Sequence, residues 1–142
     1  REAAREHRWT VAIMLLSPLT CHEPPDNLAV NALRLRAHCL LRRGGSGDLW
    51  AALRDLARLP GGGDDDVNML TLKLEICAHL NLFRRGSATV ARLLELNGGT
   101  LPEPARESAT VIERGQRRVE RARRHQLARQ AILAHAARQR EA

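Results

Sequence analysis

Aromatic side chains are nearly absent from this chain: two Trp, one Phe and no Tyr among 142 residues. An interior with so few rings must be filled by Leu and Ala, which suits helix packing and disfavours sandwiches of strands rich in aromatic and β-branched residues. No alternating run of Val, Ile or Thr is long enough for a strand, so the fold class expected is all-α. Long apolar runs are missing too. The most apolar stretch, Trp9 to Leu16, is far too short to span a bilayer, and no membrane partner is expected. No signal-peptide pattern precedes it, and the opening Arg1 reads as the start of an excerpt from a longer protein. The three cysteines (Cys21, Cys39, Cys77) are odd in number and lack a secreted-scaffold spacing, which points to an intracellular, reducing compartment.

Catalytic signatures are absent in the same way. Zinc needs paired-ligand spacings such as Cys-x-x-Cys or His-x-x-x-His, and neither occurs. There is no phosphate-cradling Gly-rich loop ending in Lys; Gly61 to Gly63 instead precede acids that would repel phosphate. A Gly-x-Ser-x-Gly elbow and a His-Glu-x-x-His helix are missing. Cys39 follows His38, but helical neighbours point about 100° apart, and Cys77 and His79 fall about 200° apart. Buried, inert thiols are the simpler reading. The run Asp64 to Asp66 could hold a divalent ion, yet before a helix it more simply complements the macrodipole. No catalytic residue, cofactor or metal ligand is therefore assigned, and the chain is read as non-enzymatic.

What the chain does hold is helix formers, caps and breakers in a regular order. Trp9, Ala12, Ile13 and Leu16 make the stripe of a helix from Glu2 to about Leu16, and Ser17 to Pro25 is a linker. Asp26 caps a helix to about Arg43, which Gly44 to Gly47 stop. Asp48 caps a short helix through Leu59 with Leu49, Ala52, Leu53 and Leu56 inward, and Pro60 to Asp65 is a flexible connection. Asp66 caps the next helix, through Leu82, whose stripe is Met69, Leu72, Ile76 and Leu80. Arg84-Arg85-Gly86 turns the chain, Ser87 caps a helix to about Leu96, and Asn97-Gly98 is a left-handed stop. The organisation is then an initial helix with its linker (1–25), two helix hairpins (26–99), and a linker with a long Arg-rich terminal helix (100–142).

That terminal helix holds nearly all of the net charge of +7: from Ala105 onward there are ten Arg against four Glu. At 100° per residue, Ile112, Val119, Leu127 and Ala134 fall near one line, and Arg114, Arg117, Arg118, Arg121 and Arg124 fall opposite. The thin apolar stripe is expected to pack and the basic side to face solvent. Successive arginines could also meet an acidic protein partner or, less readily, nucleic-acid phosphates. Against nucleic acid, no aromatics are interleaved to stack bases, and Glu113 and Glu120 interrupt the charge.

Two stretches repeat one design 39 residues apart: Leu33-Arg-Leu-Arg-Ala37 through Leu41, Gly47-Asp48 and Ala52, and Leu72-Lys-Leu-Glu-Ile76 through Leu80, Gly86-Ser87 and Ala91. A period of this size marks stacked helix hairpins. The segments Gly47-Asp48-x-x-x-Ala52 and Gly86-Ser87-x-x-x-Ala91 resemble the tetratricopeptide repeat, in which Gly closes the hairpin turn and Ala lets helices approach. The usual Trp, the Leu-Gly pair and Tyr of that repeat are missing, and the period exceeds its ~34 residues. The resemblance, over about Asp26 to Leu96, implies a TPR-like α-solenoid of antiparallel hairpins.

A narrower likeness lies in Leu33-Arg-Leu-x-Ala37, Trp50-x-Ala52-Leu53 and Leu70-x-Leu72-Lys73-Leu74-x-Ile76. That series is similar to the meiotic crossover scaffold family, the TPR-like sporulation and synapsis-initiation proteins of the ZMM group. It implies a nuclear, non-enzymatic hub for recombination and chromosome-axis proteins.

The expected function is protein–protein scaffolding. The first helix of each hairpin should line the partner surface, with Arg34, Arg36, His38, Lys73, Glu75 and His79 as contact candidates or simply solvated side chains. Leu33, Leu35, Ala37, Leu53, Leu72, Ile76, Ala91 and Leu94 are expected in the core.

Overall fold

The helix following the acidic run, Val67–His79, is apolar on two opposite sides, and the architecture follows from that. Met69, Leu72 and Ile76 recur at i, i+3 and i+7 on one side; Leu70, Leu74 and Cys77 recur at i, i+4 and i+7 on the other. A helix with two apolar faces is stable only between two layers. In the computed structural model, which describes residues 2–142, it lies between two hydrophobic clusters.

Six α-helices and two short 3-10 turns make up the regular structure, with no strand, among the described residues. They are α1 (Glu2–Leu16), α2 (Asn27–Arg43), α3 (Asp48–Ala57), α4 (Val67–His79), α5 (Phe83–Leu96) and α6 (Glu103–Glu141), with 3-10 turns at Ser17–Thr20 and Pro60–Gly63. The first cluster joins Leu33, Ala37, Leu40 and Leu41 of α2 and Ala52, Leu53 and Leu56 of α3 to Leu72 and Ile76 of α4. Ile13 of α1 packs on its edge. The second joins Leu70, Leu74 and Cys77 of α4 to Leu93 of α5 and to Ala105, Ala109 and Ile112 of α6.

Local chemistry explains several helix ends. Asp26 accepts a hydrogen bond from the Ala29 N–H, and Gly44 closes α2 in the left-handed conformation, which costs a glycine little. Asp66 accepts from the N–H groups of Asn68 and Met69 at the start of α4. At α3 the cap position is taken by Gly47, one residue earlier than expected. Asp48 is the first helical residue, and its carboxylate accepts instead from the Gly45 N–H and from Arg43.

The segment expected to form the second hairpin departs from the expected pattern. Its turn is at Leu80 to Leu82, where Asn81 is left-handed (φ 57°), and α5 already starts at Phe83. Gly86 therefore does not turn the chain; it is a buried residue in the first turn of α5, where Ile112 of α6 occupies the space a Cβ would need. Gly115, a nominal weak point of α6, receives the Phe83 ring in the same way. Two glycines thus form reciprocal notches that bring α5 and α6 into close approach, and the only Phe of the chain fills one of them.

The 39-residue echo also fails to reproduce burial position by position. Leu33 and Leu72 are both buried, but Leu35 is 56% exposed while its counterpart Leu74 is fully buried. Ala52 is buried and its counterpart Ala91 is exposed, so Leu35 and Ala91 leave the expected core, and Leu94 is only half-buried. The reason is positional: α6 packs closely along α4 and α5, whereas α4, in the corresponding place beside α2, touches it only lightly.

Replacing Gly115 by Ala is expected to lower stability by roughly 1–3 kcal/mol through overpacking against the rigid Phe83 ring, outweighing the ~1 kcal/mol gain in helix propensity. Chemical denaturation of Gly115→Ala, Phe83→Leu and the double variant checks it: the double should recover part of the loss, whereas additive losses would contradict the notch.

Candidate interaction surface

Ion pairs decide which charged side chains of α2 and α4 remain free. Arg36 grips Asp55 of α3 with both carboxylate oxygens engaged, Nε to Oδ2 at 2.7 Å. Asp55 is only 3% exposed, and this hydrogen-bonded carboxylate raises the Arg36 pKa above its ordinary value. Arg43 and Asp48 form a second fork at 2.7 Å on both arms. That arginine, helped by the Gly45 N–H, holds the Asp48 carboxyl below the usual carboxylate range.

Each acid of the run Asp64 to Asp66 meets a cation from a different helix. Asp64 lies 3.5 Å from Lys73 of α4, Asp65 2.8 Å from Arg92 of α5, and Asp66 3.2 Å from Arg34 of α2. The Asp64 carbonyl also accepts from Arg92 Nε. The connection expected to be flexible is in this way fastened to three helices. The linker before α2 is fastened too, by Arg58, which donates to the Thr20 carbonyl and pairs with Glu23.

The six candidate contact residues do not share one face. Arg34, His38, Glu75 and His79 lie on the side where α2 and α4 are bridged by Arg34–Asp66 and by Arg42–Glu75 at 3.7 Å. Glu75 and His79 border a groove of about 180 Å³ with Glu107 and Val111 of α6. His38 meets the Trp9 ring edge-on, with centroids 6.2 Å apart. Arg36 and Lys73 turn to the opposite side, Arg36 into its fork with Asp55, Lys73 into a groove with Arg85 and Arg92. Positions two apart sit about 200° apart round a helix, so Arg34 and Arg36 cannot face one partner together, nor can Lys73 and Glu75.

Sequence reasoning overlooked two apolar residues on that shared side. Leu28 and Leu35 are 60% and 56% exposed. They stand seven residues apart on α2, outside the buried set Ala29, Ala32, Leu33, Ala37 and Leu40. The signal was present: two Leu in line that do not fall on the helix's own buried face.

The basic helix is split by Gly115. Ala105, Ala109 and Ile112 are buried against α4 and α5, while every residue from Arg117 to His135 is exposed. Val119, Leu127 and Ala134 therefore do not pack with Ile112, contrary to expectation, because no other helix reaches that far along α6. Arg114, Arg117, Arg118, Arg121 and Arg124 are all exposed, and Arg117 pairs with Glu113 at 2.6 Å.

Cys39 and Cys77 are buried, Cys21 is exposed, and burial pushes both buried thiols up. Among the described residues no group of three His, Cys, Asp or Glu is placed to hold a metal ion. No helix among them is long and apolar enough to cross a membrane.

Two expectations follow from this geometry. A thiol reagent such as DTNB should titrate Cys21 alone in the native chain and all three cysteines after unfolding; rapid native labelling of Cys77 would contradict the burial. The depressed Asp48 carboxyl contributes stability that is complete above its unfolded value of about 3.9 and is lost as pH falls through the lower folded value. Asp48→Asn should therefore be less stable than the wild type near pH 6, with the gap closing below about pH 3, as acid-titrated denaturation will read.

Comparison with known proteins adds no relative to this surface: no family model, curated protein or solved structure matches the chain.

Proposed function

We propose that the chain is a non-enzymatic scaffold for protein partners, built as a TPR-like α-solenoid segment of antiparallel helix hairpins. The observation that carries this reading is the order of contacts along neighbouring helices. Between α2 and α3, Arg36 meets Asp55 and Arg43 meets Asp48, so one number rises as the other falls. Between α5 and α6, Phe83 meets Gly115 and Gly86 meets Ile112, with the same reversal. Between α2 and α4, Arg34 meets Asp66 and Arg42 meets Glu75, and both numbers rise together. Opposed helices that follow one another in the chain and aligned first helices between hairpins are the contact order of a helical solenoid. The start of α6, packed on both α4 and α5, then takes the place of a third first helix.

In such arrays the first helices present a continuous surface, and here that side holds Leu28 and Leu35 beside Arg34, Glu75 and His79. Two exposed leucines flanked by paired charges suit a protein partner rather than a small substrate. The meiotic-scaffold resemblance would make the partners recombination and chromosome-axis proteins in the nucleus.

The test is affinity capture from nuclease-treated extract with the wild-type chain and a Leu28→Asp/Leu35→Asp variant, read by quantitative mass spectrometry. The wild type should retain at least one protein at near-stoichiometric yield that the variant loses roughly tenfold or more, equivalent to ~1.4 kcal/mol. Loss of every protein after nuclease, or equal recovery by both chains, would overturn the reading. Both leucines are largely exposed, so thermal unfolding of the variant should stay close to wild type.

A further inference from the structure

The outer half of α6 is a helix with nothing beside it. From Arg117 to Glu141 it would extend roughly 35–40 Å at 1.5 Å per residue. Eight Arg stand against two Glu in that stretch. Arg117 and Arg121 are four apart, and Arg118, Arg121 and Arg124 follow at intervals of three. Like charges at these spacings repel across one helix face, so a lone helix gains stability when an outside group neutralises them.

Its other side carries an apolar stripe, interrupted by Gln126 and Gln130, that lines up with an existing interface. At 100° per residue, Val119, Ala122, Leu133 and Ala137 lie in line with Ile112 and Gly115, the residues that seat α6 on the body. Val119 is 52% exposed and Leu133 60%. The stripe by which α6 packs against α4 and α5 thus runs on past the last helix able to cover it.

We propose that this outer half of α6 is a docking arm for an acidic amphipathic helix of a partner protein. That helix would lie along the stripe from Val119 to Ala137 and carry on the packing that α4 and α5 supply further back. Charge and continuity select this occupant together. A second copy of the chain would bring the same excess of arginine against the arm and repel it. A bilayer would have to accept the amides of Gln126 and Gln130, which lie within the stripe, without hydrogen-bond partners, whereas a helix pair can hydrogen-bond them. Nucleic-acid phosphates would neutralise the arginines but leave Val119 and Leu133 in water, and the arm has no aromatic ring to stack on a base. The arm is a different surface from the Leu28/Leu35 side of α2, so the two readings stand or fall separately.

Binding to the full chain is measured by fluorescence anisotropy with four labelled probes. The first is a synthetic peptide of about four heptads with Leu at a and d and Glu at e and g. The second is the same peptide with Ser at a and d. The others are a mixed-sequence DNA duplex and phosphatidylserine-containing vesicles. The Leu/Glu peptide should bind most tightly, the Ser/Glu peptide roughly tenfold or more weakly, and Val119→Ser/Leu133→Ser should cost the first peptide a similar factor. The same variant should melt as the wild type does, because neither side chain packs against the body. Equal affinity for the two peptides, tighter binding of DNA or vesicles, or a dimer of the free chain in sedimentation equilibrium would each overturn the proposal.

Discussion

Burial of α4 on two sides is the constraint on which the rest of the structure depends. Leu72 and Ile76 need α2 and α3; Leu70, Leu74 and Cys77 need α5 and α6. Leaving one such Leu in water forfeits roughly 1.5–3 kcal/mol, comparable to a large part of a domain's net stability. Neither helix pair can therefore satisfy α4 without the other, and a chain with three aromatic residues acquires one joined interior from Leu, Ala, Ile and Cys. Glycine notches tighten the packing: at Gly86 and Gly115 the side chains of Ile112 and Phe83 rest where a Cβ would lie.

Electrostatics then orders the loops that hydrophobic packing leaves free. The run Asp64 to Asp66 resembles a cation site in sequence, yet Lys73, Arg92 and Arg34 reach it from three helices, and Asp66 also caps α4. Arg36–Asp55 and Arg43–Asp48 pin α2 to α3 on either side of the Gly-rich turn. These forks use the planar guanidinium, which can engage both oxygens of one carboxylate, a geometry that the single Lys of the chain could not supply. Arg34, Arg36, Arg42, Arg43, Arg58 and Arg92 of the body are held in ion pairs, whereas along the outer part of α6 only Arg117 is paired, with Glu113, among the described residues. The protein has two kinds of surface as a result: a nearly neutral helical body with two exposed leucines on α2, and a basic amphipathic arm.

The internal echo illustrates how far sequence similarity between repeats can be carried. Leu33 and Leu72 are equivalent in sequence and in burial, as are Ala37 and Ile76. Leu35 and Leu74 are equivalent only in sequence, because burial depends on how closely the neighbouring helix packs: α6 covers Leu74, whereas α4 leaves Leu35 exposed. Gly47 and Gly86 diverge for a similar reason. Gly47 takes a left-handed turn conformation, whereas Gly86 lies in a regular helix, needed there for the passage of Ile112. A glycine in a sequence signals either a turn or a close contact, and only the neighbour in space distinguishes them.

Composition, periodicity and capping chemistry by themselves determined the all-α class, the positions of most helices and the caps at Asp26 and Asp66, since these depend on residues within a turn or two of one another. The buried faces around Leu33, Leu53, Leu72 and Ile76 were legible for the same local reason. The second face of α4 was hidden, because Leu70, Leu74 and Cys77 blur the helical period once both sides are apolar. Of the candidate surface, Arg34, His38, Glu75 and His79 were legible as polar positions on first helices, but the pairing that turns Arg36 and Lys73 away was not. Those partners lie 19 and 9 residues off, and only the tertiary structure brings them together. The length of α6 was readable from its helix formers, but the place where its packing ends was decided by the reach of α4 and α5, a property of neighbours that no local pattern along α6 records.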